Sequence, residues 1–504
     1  MPLQVRCARR RGHSATQTDR EAEVLNSPTL MTNILAAPLH RRLVVLSLLL
    51  LLCAALYHWL GTVAPPSDGN PLLFLPVWSI CFLPYFLACA YVLLSRPLAG
   101  PWHWVELGLL LLGAFLFRVM LVPLPPGLSR DVWRYLWDAR VVVHGYSPYV
   151  YAPGARVLEP LCNVLFTNCR FRNIPTDYPP GAEAIFQFGY LLDPHSLAGI
   201  KAVFLAFDMI TCAALARLLA RRGLDPRRAI IYAWCPLPIV EFAIEGHLDV
   251  IAITSMVLAV LSDTYSGRSA RILAGFFLAM ATLTRLYPLL LLPLLLRRRD
   301  WPLLLTFLVT LCLGYLPFIL LGHGQVLGFL LSYTGQQGGN AGIVQAVVRR
   351  VSAGLGMSAA ATLDLEYAVD ALLLLTVLAV VLIWRRRERI SIEMAIVLLM
   401  GAIFAISSHV FPWYVTALLP WIACSVRPVV PDRWSIATSA ATAIAWYLAG
   451  TALLGYEDNV MRANTAPWWA TFLYVAHGLV DILAVVGAIL VVSACLSRPV
   501  LGKS

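Results

Sequence analysis

The chain has 504 residues, 60% of them hydrophobic and only 13% charged, with a formal net charge of +11. Soluble domains carry about 45–50% apolar and about 25% charged residues, so a water-soluble globule of this length is excluded. The positive excess is not a nucleic-acid patch: it lies in short basic runs between hydrophobic stretches, at Arg9–Arg11, Arg41–Arg42, Arg221–Arg228, Arg297–Arg299 and Arg385–Arg389, the mark of cytoplasmic connections.

In chain order, residues 1–40 are polar and lack apolar periodicity, which predicts a disordered cytoplasmic tail, with Met31 as a second candidate start. The run Leu43–Leu60 is long enough to span and has no small-residue cleavage site, so it is read as an uncleaved helix. Spans at 43–62, 72–95 and 103–123 leave 124–195 outside, and a span at 196–219 returns to the basic loop. Between 229 and 297 the apolar stretches are interrupted at Glu245–Asp249, Ser262–Arg271 and Thr284–Pro288. Broken helices are tolerated only where the freed backbone is buried in protein or lines a polar cavity. Alternation places Glu245–Asp249 and Arg285–Pro288 outside, and spans at 301–321, 364–384, 391–408, 411–426, 434–455 and 468–495 follow. Every strongly basic connection then falls on one side. The fold class expected is an all-α polytopic membrane protein of about 12–14 transmembrane helices. Its parts are the tail 1–40, an N-terminal helix pair within 41–102, a core 103–426 carrying the outer loop 124–195, and C-terminal helices 427–504.

Eleven cysteines are scattered, most of them in apolar runs as small hydrophobes, and no CxxC or Cys/His zinc spacing occurs. Cys162 and Cys169 lie in the outer segment, where a disulfide and two free thiols are both open.

The stretch from Ser129 to Arg140, continuing through His144-Gly145-Tyr146-Ser147-Pro148-Tyr149, is the richest in chemistry. On a helix starting near Ser129, Asp131, Tyr135 and Asp138 share a face, and Ser129 is placed to cap it. Carboxylates and Arg130 suit sugar hydroxyls, while Tyr135, Trp137 and Tyr149 offer faces for a sugar ring; the bland alternative is an interfacial aromatic belt with solvated charges. Glu241, Glu245, His247 and Asp249 gather at one break, as an acceptor pocket or, less favoured, a divalent-cation site. Arg285, in the next outer break beside Tyr287, is the candidate for holding a phosphate, against a snorkelling interfacial arginine. Arg118 and Asp208 are charges inside apolar spans, each either functional or paired with a neighbouring helix. The polar segment 322–363, with Tyr333–Asn340, is either a lid or a connector.

These motifs resemble the GT-C glycosyltransferases, most closely the polyprenol-phosphate-mannose-dependent mannosyltransferases and glycosyltransferase family 87. The resemblance rests on Asp131-Val132-Trp133-Arg134-Tyr135-Leu136-Trp137-Asp138, Gly145–Tyr149, Tyr178-Pro179-Pro180, Gly246-His247-Leu248-Asp249, Arg285-Leu286-Tyr287-Pro288 and the His409–Tyr414 element. It covers roughly residues 103–426. It implies a GT-C-like bundle with an extracytoplasmic catalytic loop, Asp131 as general base, and Asp138 as its assistant or a sugar ligand, against a surface salt bridge of Asp138 with Arg134 or Arg140. Substrate contacts are expected from Arg130, Tyr135, Trp137, Tyr149, Tyr178, Glu245, His247, Asp249, Arg285, Tyr287, His409, Trp413 and Tyr414, with no cofactor and no metal favoured. Two departures stand out: Val410 and Phe411 separate His409 from Pro412, and two spans precede the Asp131 loop. The activity implied is inverting transfer of a sugar, mannose first, from a polyprenyl-phosphate donor to a glycan or lipid acceptor at the outer face of a bacterial inner membrane. The rival is a transporter or flippase, since broken helices bearing charges also build transport sites.

Overall fold

The computed structural model describes residues 39–63, 71–95, 102–326, 343–406 and 411–426, and among them every regular element is helical. In order these include α1 (Leu39–Val63), α2 (Pro71–Leu94), α3 (Trp102–Leu121), α4 (Asp131–Val143), α5 (Pro180–Leu192) and α6 (Ala198–Arg221). After a broken segment come α7 (Asp249–Asp263), α8 (Arg268–Thr284), α9 (Trp301–Leu321), α10 (Ile343–Gly354), α11 (Ala359–Arg386) and α12 (Ile392–Ile406). Six of them, namely α1, α2, α3, α6, α9 and α11, are long and apolar enough to cross a membrane. The protein is an all-helical polytopic membrane protein. Leu320 on α9 and Leu372 on α11 are exposed, as a lipid-facing surface requires. Spans expected at 434–455 and 468–495, the stretch Tyr333–Asn340 and His409 lie outside the described residues.

The broken segment 229–248 consists of short turns, Ile230–Ala233, Pro236–Ile239 and a π-helical turn Val240–Ile244, all buried. Its freed carbonyls find donors on other helices. The Trp78 indole donates to the Pro236 carbonyl (3.1 Å) and the Tyr85 hydroxyl to that of Ile231 (2.8 Å), both from α2. Arg118 on α3 donates to the Ala233 carbonyl at 2.7 Å. An unsatisfied carbonyl at membrane depth costs several kcal/mol, so these long side chains are what makes the break tolerable. The helix α2, which precedes α3, is therefore knitted into the region that follows.

Arg118 does more than cap a carbonyl. Its Nε lies 2.5 Å from Asp208 on α6, which also accepts from the Tyr232 hydroxyl at 2.7 Å. All three side chains are buried. These two charges inside the spans are thus spent on each other.

Residues 124–195 form a folded cap: α4 packs on α5, and α5 on α6. Arg134 holds the Phe171 and Ile174 carbonyls (3.2 and 3.0 Å), and Arg140 holds that of Leu161 (2.9 Å), which anchors the irregular stretch to α4. Cys162 is exposed and Cys169 buried, and both are free thiols.

Candidate active site

α4 starts at Asp131 because the negative side chain favours a helix N-terminus and because the Ser129 hydroxyl accepts the Asp131 N–H at 3.2 Å. Ser129 acts from just outside the helix, one residue before the capping position at Arg130. The expected face is present. Asp131 is half-buried at its outer end, followed by buried Tyr135 and buried Asp138. The Tyr135 ring stacks on Phe186 of α5 at 4.3 Å and meets the edge of Tyr178 at 5.0 Å. The Tyr149 hydroxyl donates to the Tyr178 carbonyl at 2.7 Å, so Tyr149 props the wall from behind.

The segment Glu245–Asp249 connects the remaining parts. The Glu245 carboxylate accepts from the backbone N–H groups of Gly127 (3.2 Å), Leu128 (3.0 Å) and Ser129 (2.8 Å). Gly246 adopts φ +72°, and a β-carbon there would sit 3.0 Å from Val132 of α4, so both its conformation and its space suit glycine. His247 is buried, 3.4 Å from Glu241, with its ring stacked on Trp413 at 3.8 Å. Asp249 takes Arg285 bidentately, at 2.9 and 2.8 Å. That fork uses Nε and Nη2 and leaves Nη1 outside the pair. The guanidinium lies 4.9 Å from the Tyr414 ring and 6.0 Å from that of Tyr178. Cation–π geometry of this kind holds a charge without neutralising it.

Carboxylate, oriented arginine and tyrosine walls thus meet at one place outside the long helices. Residues 176–412 match the family model of glycosyltransferase family 87. The match, just under half of the chain, agrees with the resemblance drawn from the motifs, and over it the chain is similar to glycosyltransferases. No curated protein matches the chain. Within the family-87 stretch lie Tyr178, Glu245, His247, Asp249, Arg285 and Tyr287, while Asp131 and the rest of α4 precede it.

The electrostatics centre on Asp131. Burial first, then the negative charge of Asp177, pushes its pKa up to about 6, while Arg285, the Ser129 hydroxyl and Arg170 pull it back. Burial raises Glu245 to about 7 against its three N–H donors, and lowers His247, keeping the imidazole neutral. Asp138 is raised by burial and held back by Arg134, its buried partner at 2.8 Å. Glu183, which accepts from the Thr176 hydroxyl at 2.7 Å, is also raised by burial and by Asp138. Among the described residues no three His, Cys, Asp or Glu side chains converge to hold a metal ion.

The structure brings together Asp131, Tyr135, Tyr178, Asp249, Arg285, Tyr287 and Tyr414. It sets others apart. Trp137 is fully buried against Phe166 (5.1 Å), a packing residue with no face left for a sugar. Tyr149 is buried beside Phe318, and Glu245 has both oxygens on main-chain donors. Trp413 is buried between His247 and Phe411, whereas Arg130 is exposed at the entrance to α4. Sequence reasoning passed over Asp177 and Arg170, the two charges that bracket Asp131. Asp177 had a signal, since it immediately precedes Tyr178-Pro179-Pro180; Arg170 had none.

Proposed function

We propose that the protein transfers a sugar, mannose first, from a polyprenyl-phosphate donor to a hydroxyl of a glycan or lipid acceptor, at the outer face of a bacterial cytoplasmic membrane. The observation that carries this reading is Asp131: a half-buried carboxyl raised to about 6, beside an oriented arginine and tyrosine faces. A general base is most effective when its pKa lies near the working pH. Asp131 takes the proton of the acceptor hydroxyl as that oxygen attacks the anomeric carbon. The bond from that carbon to the phosphate oxygen breaks, and the lipid phosphate leaves with the electron pair. Single displacement inverts the anomeric centre. Arg285, held in place by Asp249, supports the departing phosphate together with the exposed Arg130 and Arg170. Tyr178 and Tyr414 flank the sugar. This chemistry calls on no cofactor, and the donor arrives through the lipid as the acceptor arrives from outside.

The test is transfer of radiolabelled mannose from polyprenyl-phosphate-mannose by the purified protein, with a membrane lipid extract as acceptor and Asp131→Asn in parallel. A labelled product of inverted configuration, absent with Asp131→Asn, is the expected result. Full transfer by Asp131→Asn, or movement of the lipid across proteoliposomes without a glycosidic product, refutes it.

A further inference from the structure

The connection from α3 to α4 is nine residues of irregular chain, 122–130, and the proposed base stands at its far end. Such a stretch offers many conformations, yet it is gripped at both ends by buried charges. At the α3 end, Lys201 of α6 donates to the carbonyls of Val122 (3.3 Å) and Leu124 (2.5 Å), just past the C-terminus of α3, where positive charge is favourable. At the α4 end, the Glu245 carboxylate gathers three consecutive N–H groups, those of Gly127, Leu128 and Ser129. Ser129 then accepts the Asp131 N–H on its hydroxyl. The chain of bonds therefore runs from Glu245 through Ser129 to Asp131.

Glu245 is 1% exposed, so none of its surface is offered to a ligand. A buried carboxylate that accepts only main-chain N–H groups fixes the position of that main chain. We propose that Glu245 is a positioning residue: by clamping 127–129 it sets the height and rotation of Asp131 relative to Arg285 and Tyr178. The proposal rests on the transferase reading for the role of Asp131, and the clamp itself is independent of that reading. Gly246 carries the same contact onward, because it lies against Val132, the residue after Asp131.

The experiment uses the full-length purified protein with Glu245→Gln and Glu245→Ala, polyprenyl-phosphate-mannose as donor and a membrane lipid extract as acceptor. Misplacing a catalytic group by about 1 Å costs up to about 100-fold in rate. The expected result is a kcat lowered about 10- to 100-fold by Glu245→Ala, with KM for the donor unchanged. Glu245→Gln, which keeps one acceptor oxygen, falls between it and the wild type. Amide hydrogen exchange is read alongside, and the N–H groups of 127–129 lose protection in both variants. Where Glu245→Ala does not yield folded protein, Glu245→Gln, of nearly equal volume, decides. A raised KM at unchanged kcat identifies a substrate contact and overturns the proposal, as does unaltered exchange at 127–129. A wild-type protein that transfers no sugar defeats the transferase reading instead, and the exchange result still judges the clamp.

Discussion

The pKa of Asp131 gives the most demanding prediction. The ordinary value for such a carboxyl is 3.8, and burial with the neighbouring Asp177 raises it to about 6. A base must be ionised to work, so activity is present above this pKa and lost as pH falls through it. A group titrating near 6 is about 90% ionised at pH 7 and about 10% at pH 5, whereas one at 3.8 is still more than about 90% ionised at pH 5. The kcat/KM for sugar transfer is therefore expected to fall roughly tenfold from pH 7 to pH 5. Two substitutions move the midpoint in opposite directions. Asp177→Asn removes a negative neighbour and shifts the acid limb to lower pH; Arg170→Gln removes a positive one and shifts it higher. The assay is a pH–rate profile at subsaturating donor for the wild type and both variants. An acid limb centred near pH 4, or one that does not respond to Asp177→Asn, refutes the assignment of Asp131 as the base.

Asp249→Asn takes the charge from the partner of Arg285, in a pair whose side chains are 0% and 15% exposed, and is expected to cost about 3 kcal/mol. Thermal unfolding in detergent measures this, and an unchanged midpoint shows that Arg285 does not depend on Asp249. At Gly275 of α8 a β-carbon would lie 2.4 Å from the Leu303 carbonyl oxygen of α9, so Gly275→Ala separates the two helices and costs about 1–3 kcal/mol. A variant as thermostable as the wild type rules that contact out. Cys162 is exposed on the cap, and in right-side-out vesicles it is expected to react with a membrane-impermeant maleimide, while the buried Cys169 is protected. Labelling of Cys162 only after the vesicles are opened puts the cap, and the site with it, on the cytoplasmic side.

Hydropathy alone located α1, α2, α3, α6 and α9 to within a few residues, because a spanning helix is defined by a run of about 20 apolar residues. The interruption at Glu245–Asp249 was also legible, since a run of Glu-Gly-His-Leu-Asp, polar and broken by a glycine, does not fit a continuous apolar span. What repairs the interruption was not. Trp78, Tyr85 and Arg118 reach it from helices more than a hundred residues away in the chain, and no local pattern marks them as donors. Composition likewise does not say what an aromatic packs against. Tyr135, Trp137 and Tyr149 look alike in sequence, yet Tyr135 backs Tyr178 from between α4 and α5, Trp137 fills the cap interior and Tyr149 braces the Tyr178 backbone. The role of Glu245 was hidden for a related reason: its partners are main-chain atoms, which leave no trace in side-chain identity.

The pairing of Arg118 with Asp208 also bears on how the chain is assembled. Synthesis delivers α3 first, and the counter-charge follows 90 residues later on α6. Arg118 sits in the last turn of α3, where a lone arginine costs less than the roughly 2.5–3.5 kcal/mol it carries at a helix centre. Until α6 arrives, its guanidinium is best served by the water at the helix end, and only the later helix supplies the buried counter-charge. The ion pair thereby imposes an order of events: the cap lies between its two members in the chain, so all of it is made before the flanking helices can lock together, and the bundle closes around a cap already in place.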